Sequence, residues 1–491
     1  MSVLTSTQLN NLTVTQVDGL SLTQVSSLTV TQLNTLSSTN LNELSSTQLN
    51  NLTTVQLQGV NSTTLNALTT TQVDDLSVTK INTLTSVELN NLSSTNLQAL
   101  TSTQVGGIST SLVSALSSTQ LNNLTVTQVD GLTSTQVASL TVTQLNSLST
   151  TNLDELSTTQ LNNLTTAQVQ GLSSTQLSTL TTTQINDFSS TKLNTLTSVE
   201  LNNLSVTNLD ALTSTQLAAI STSLILALTS TSLNNLTTTE VDALTTTQVS
   251  SLSSAQLNNL SLTNLNELST TQLNNLTTVQ LRNLTSTFVN NLTSTQLTGL
   301  NSTMVSNLTS TEVNSLTTTN LQTLSTTQIL QLASAQVSAL SSTALNNLTS
   351  TQLSNLSSTQ MTALSTLDLS NLYTTQLDAL TSTQIGTLTT IQVASLNSLD
   401  IAELSTTQAA GLTATQLKSL TTTQAQQLTS TVIPTLSTTQ IGGLTSSDIS
   451  VLSSTQIASL TSTQLGCLTT VQANALTNLN ALGTNINYLV N

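Results

Sequence analysis

The chain has 491 residues, of which only 5% are charged and 1% aromatic; the formal net charge is −16 and there is no histidine. Four bases, Lys80, Lys192, Arg282 and Lys418, cannot line a nucleic-acid groove. Zinc sites and histidine-based acid–base chemistry are excluded in their usual forms, and no apolar run approaches membrane-spanning length.

The repeat begins at once. Leu4, Leu12, Leu20 and Leu28 open successive octads, and the register runs to Leu476 without insertion or deletion, which makes sixty octads. The consensus is L-[ST]-x-T-Q-[LVI]-x-x, numbered here as positions one to eight. Position one is Leu with rare exchanges such as Val60, Ile108, Phe188 and Ile220. Position six is Leu, Val or Ile, with Ala409, Ala425 and Ala473 among the exceptions. Such a strict apolar register argues against disorder despite the low complexity. All acids, all bases and all glycines fall at positions five, seven or eight. Positions one and six are therefore expected inside, and five, seven and eight in water. The opening residues "MSVLTSTQ" already follow the repeat and carry no secretory leader pattern.

One octad predicts one very short helix. A continuous helix is excluded, because eight residues at about 100° each overshoot two turns by about 80° and the apolar stripe would wind around it. Ser or Thr at position two reads as N-cap, with position five, usually Gln, Glu or Asn, as N3 of a capping box. Positions one and six then form the hydrophobic staple. Position eight is expected to be the left-handed residue of a Schellman ending. The fold class is thus an all-α solenoid, with a β-solenoid as the alternative on the strength of Thr, Val and the turn pairs at seven and eight. One octad cannot bury its own apolar face, so neighbours must stack.

Along the chain, residues 4–483 read as a single solenoid domain and 484–491 as a C-terminal cap or tail. A second period of 112 residues, or fourteen octads, lies over the first. Residues 4–115 recur as 116–227, more loosely as 228–339, and in degenerate form as 340–451; Lys80 maps onto Lys192, and Glu43, Glu155 and Glu267 stand 112 apart. Gene duplication explains this; a match to a superhelical or lattice repeat is the second reading. The acid pairs Asp74–Asp75 and Asp154–Glu155 read as solvated corners, since no spaced ligand loop surrounds them. Asn11-Leu12-Thr13 fits a glycosylation sequon only because the repeat generates one. Pro434, at position seven, is awkward inside a helical turn. Cys467 has no intrachain partner and reads as a spare thiol. No catalytic, cofactor-binding or metal-ligating residue is assigned, and an enzyme is not expected.

The stretch "LTSTQLNNL" and its kin resemble the LT-x-x-Q-[LIV]-x-x octapeptide arrays of large bacterial surface or secreted proteins. The resemblance covers essentially the whole chain. It implies a structural role outside the cell, reached without a Sec-type signal peptide, and lends no catalytic residue. The expectation is a self-assembling rod in a fibre, tube or layer, with its own kind as partner, no nucleic acid and no membrane insertion. The alternative is a binding or adhesion module with a repetitive Thr-rich face, suited to ice or another surface.

Overall fold

The octad folds as a capped turn. In the first, Thr5 Oγ1 accepts the Gln8 N–H at 3.3 Å, and Gln8 Oε1 accepts the Thr5 N–H at 2.8 Å. This capping box fixes the start of the helix Ser6–Asn10 by satisfying two N–H groups that a helix start leaves free. The computed structural model describes residues 1–489 and carries fifty-eight α-helices of this kind, each four to six residues long, with no strand among the described residues. The chain is an all-α solenoid of very short capped helices, one per octad. The octad of Pro434 is the internal exception. Proline lacks the N–H that an α-turn needs, and the segment Ile433–Thr435 is a 3-10 turn instead.

Each helix ends in a tight right-handed turn, which corrects one expectation. Position eight is not left-handed: Asn11, Asn51 and Gly171 have φ of −89°, −91° and −94°. The leucine N–H of the next octad donates to the position-six carbonyl three residues back, as Leu12 does to Leu9 at 3.3 Å. That closure needs no positive φ. Among the described residues only Gly483 has one, at +50°, where the repeat gives way to 3-10 turns over Leu479–Leu489. This segment packs on the helices Ser454–Ala458 and Ser462–Gly466, and Leu482 is buried.

The chain divides into two units, Met1–Leu244 and the part from Thr245 onward. In unit 1, Gln48 donates to the Leu20 carbonyl 28 residues earlier. In unit 2, Gln280 does the same to Leu252. One coil therefore takes about 28 residues, or three and a half octads, rather than the two of the simplest coil. Helices rest mainly on the third helix before them, as Ser94–Ala99 does on Thr70–Asp74 and Ser358–Ala363 on Ser334–Ser338. Positions one and six line the interior: Leu89, Leu92, Leu121 and Leu124 in unit 1, and Leu353, Leu356, Ile385 and Leu388 in unit 2, are buried. Removing this aliphatic surface from water is the main driving force for stacking.

Candidate functional site

Two features stand out from the uniform scaffold: a buried ladder built on position five, and an exposed face built on position four.

Position five is buried, not solvated as its charges suggested. Gln136 is 1% exposed and Gln48 3%. The side chain does two jobs. Its Oε1 closes the capping box within the octad, and its Nε2 donates to the coil before. Gln136 Nε2 reaches the carbonyls of Val105 at 2.8 Å and Ile108 at 2.7 Å. Gln8, Gln16 and Gln24, in the first coil, have no coil beneath them and are exposed. Gln32 is the first to be covered, and it donates to Leu4 at 2.7 Å. Burial at position five is thus a consequence of stacking. An amide suits the place because it accepts at one atom and donates at the other.

Other polar residues at position five perform at most one of these jobs, as the following cases show. Asn is too short to do both: Asn40 donates to Leu9 at 2.9 Å but forms no capping box, against the expectation that Asn would serve as N3. Lys80 and Lys192 donate to the carbonyls of Leu52 and Leu164; burial lowers the pKa of Lys192. Acids do the reverse. Glu240 and Glu312 close their boxes through Oε2, while Oε1 is buried without a hydrogen-bond partner. Burial raises both carboxyl pKa values, and for Glu240 the charge of Asp210 adds to the rise.

Where the box is missing, the free N–H is satisfied from the neighbouring coil by Asn at position seven. Asn10 Oδ1 accepts the Ser37 N–H at 2.7 Å, and its Nδ2 donates to the Thr35 carbonyl at 2.8 Å. Asn34 serves Asn61, Asn82 serves Ser109, Asn258 serves Thr285 and Asn274 serves Asn301 in the same way. This function of position seven was missed from sequence, yet it leaves a signal there. Asn40, Thr64, Lys80, Leu112, Phe288 and Met304 each have an Asn thirty residues earlier. Asn208 and Val432, with Ser178 and Ala402 at that distance, depart from the rule.

The second feature is at the surface. Position four is solvent-facing and usually Thr, but carries Val55, Val87 and Val199 in unit 1 and Val279, Leu367, Ile391, Leu399 and Val471 in unit 2, all 61–73% exposed. Their separations, 32 and 112 residues in unit 1, are close to whole coils. Within unit 1 these residues therefore lie near a common line, whereas in unit 2 separations of 88, 24, 8 and 72 residues spread them over about two-fifths of the coil. Exposed apolar residues at position three of unit 1, Val14, Leu22, Val126 and Val206, fall on the other half of the coil.

Among the described residues no group of three or more His, Cys, Asp or Glu side chains is placed to hold a metal ion. Asp74, Asp75, Asp154 and Glu155 are exposed, and Asp75 accepts a hydrogen bond from Ser46. Cys467 is half-buried, with Sγ 3.0 Å from the Gln464 carbonyl, and burial raises its pKa. The core of unit 1 leaves a cavity of about 30 Å³ among leucines including Leu41, Leu49, Leu57 and Leu65, room for about one water. An open furrow of about 590 Å³ runs past Ser382, Gly386, Thr407 and Gly411, where two glycines thin the wall. Among the described residues no helix is long and apolar enough to cross a membrane. Comparison with protein-family models and with curated proteins returns no match.

Proposed function

We propose that the protein is a structural element that packs side by side with its own copies into a fibre, tube or layer outside the cell. The observation that carries this reading is the position-four face of unit 1, where Val55, Val87 and Val199 are exposed at nearly whole-coil spacing. Valine replaces the usual threonine there, where it contributes nothing to the core. Exposed apolar residues in register, rather than scattered, mark a surface that meets another surface. The ladder at position five supports a stiff scaffold, because every coil is tied to the one before by side-chain amides. The net charge of −16 opposes close approach of copies, so screening by salt should promote association. The octapeptide resemblance favours an extracellular setting.

Electron microscopy and light scattering of the purified chain at rising ionic strength test the proposal. Ordered assemblies are expected, and their loss in the Val55→Thr, Val87→Thr, Val199→Thr variant. Dispersed monomers under every condition would sink it. A second reading, adhesion to a regular surface, is favoured by the exposed threonines at position four, whose hydroxyls are not the capping ones. Thermal hysteresis in the undiluted monomer would select that reading.

A further inference from the structure

The unpartnered oxygen of Glu312 lies where its fellow octads place a donor. Glu312 Oε2 accepts the Thr309 N–H, as Gln Oε1 does elsewhere. Its second oxygen therefore takes the place of a Gln Nε2. Gln296 sends that nitrogen to the carbonyls of Leu265 and Leu268 at 2.8 and 2.7 Å, and Gln328 to those of Leu297 and Leu300 at 2.7 and 2.9 Å. These partners stand 31 and 28 residues earlier. For Glu312 the same offsets give Leu281 and Leu284. Glu312 is 2% exposed and its Oε1 has no partner. A carboxylate oxygen there faces carbonyl oxygens, acceptor against acceptor. A carboxylic acid has the shape of the amide and an O–H to donate.

We propose that Glu312 is a proton-operated joint between coils. As a neutral acid it donates its O–H to the Leu281 or Leu284 carbonyl and ties the coils like a glutamine. On ionisation the proton leaves for solvent, the donor is lost, and the joint opens locally. Charged groups facing it are few. The helices Ser286–Asn290 and Ser334–Ser338, which pack on its own helix Ser310–Ser315, carry none, and neither do the flanking helices Ser302–Asn307 and Thr318–Thr323. Arg282, thirty residues before Glu312, follows the helix Thr278–Leu281 in the coil before and is exposed. Burial raises the Glu312 carboxyl pKa above the ordinary 4.5, against the hydrogen bonds of Thr309, which lower it. A group that holds its proton more tightly when folded stabilises the fold at low pH and loses that effect as pH rises through its folded pKa.

The full-length chain and its Glu312→Gln variant decide the matter. Hydrogen exchange, corrected for intrinsic rates, is followed by mass spectrometry over residues 281–316 from about pH 5 to about pH 8. In the parent, protection should fall about tenfold for each unit by which the folded pKa is raised; in the variant it should stay flat. The infrared difference between parent and variant should show a protonated carboxyl band at the acid end that fades over the same range. Equal pH dependence in parent and Glu312→Gln, or none in either, would overturn the proposal, and so would the absence of the carboxyl band. Glutamine is the consensus residue, so the variant keeps the fold; circular dichroism verifies this.

Discussion

Asn10 Oδ1 accepts the backbone N–H of Ser37 at 2.7 Å, across 27 residues of chain. Asn40 forms no capping box, so that N–H has no partner within its own octad. A local defect is thus repaired one coil away. An unsatisfied buried or half-buried N–H costs about 1–3 kcal/mol, so the repair is worth conserving within the fold.

The repair predicts a non-additive pair. Asn82 accepts the Ser109 N–H at 2.7 Å, since Leu112 at position five offers no box. Asn82→Ala should destabilise unit 1 by about 1–3 kcal/mol. Asn186→Ala should cost less, because Gln216 already holds the Thr213 N–H at 2.8 Å. Adding Leu112→Gln to Asn82→Ala should recover most of the loss. Urea denaturation of the parent and of these three variants, together with Leu112→Gln alone, measures the coupling. Equal costs at both asparagines would refute the account.

Position five predicts a contrast between identical substitutions. Gln136→Glu keeps the box acceptor but deletes a buried donor to Val105 and Ile108. A loss of about 1–3 kcal/mol is expected near neutral pH. Gln8→Glu, exposed in the first coil and with no coil beneath it, should change stability by less than about 0.5 kcal/mol. Chemical denaturation of the two variants side by side is sufficient.

The glycines at position eight predict a steric pair. A Cβ on Gly59 would stand 2.6 Å from Val30 Cγ1, and one on Gly171 the same distance from Val142 Cγ1. Position eight meets position three of a neighbouring coil, 29 residues away. Gly171→Ala should therefore destabilise by about 1–3 kcal/mol through overpacking, and Val142→Ser should relieve it. Thermal melting of the single and double variants tests this; a Gly171→Ala variant as stable as the parent would be fatal to it.

Two further buried acids, Glu240 and Asp400, predict the direction of acid response. Burial raises the pKa of Glu240 and of Asp400, with Asp210 and Glu403 adding to the respective shifts. For raised carboxyls the folded state binds the extra proton, so stability falls as pH climbs from the ordinary range, near 4.5 for Glu240 and 3.8 for Asp400, through the folded values. Glu240→Gln and Asp400→Asn should flatten that slope in pH-dependent denaturation. A parent that gains stability steadily from about pH 5 to about pH 8 would contradict it.

The sequence by itself determined the helix, because everything that makes it is local. Thr5, Gln8, Leu4 and Leu9 lie within six residues, and cap, box and staple need no distant partner. The inward faces followed from the same period. The tertiary structure alone decided the coil. Its three and a half octads depend on how leucines of successive layers interlock, and no single octad encodes that angle. Once it is known, the 112-residue period acquires a geometric meaning: fourteen octads make four coils of about 28 residues, so a duplicated block returns to the same face. The right-handed ending at position eight was hidden because Gly and Asn there suggested a left-handed residue, whereas at Gly59 and Gly171 the glycine leaves room for Val30 and Val142. Position five was misplaced because seven acids and two lysines occupy it. Their charges pointed to water, but the coil before them had already enclosed the site, for its carbonyls ask for a donor rather than for solvent.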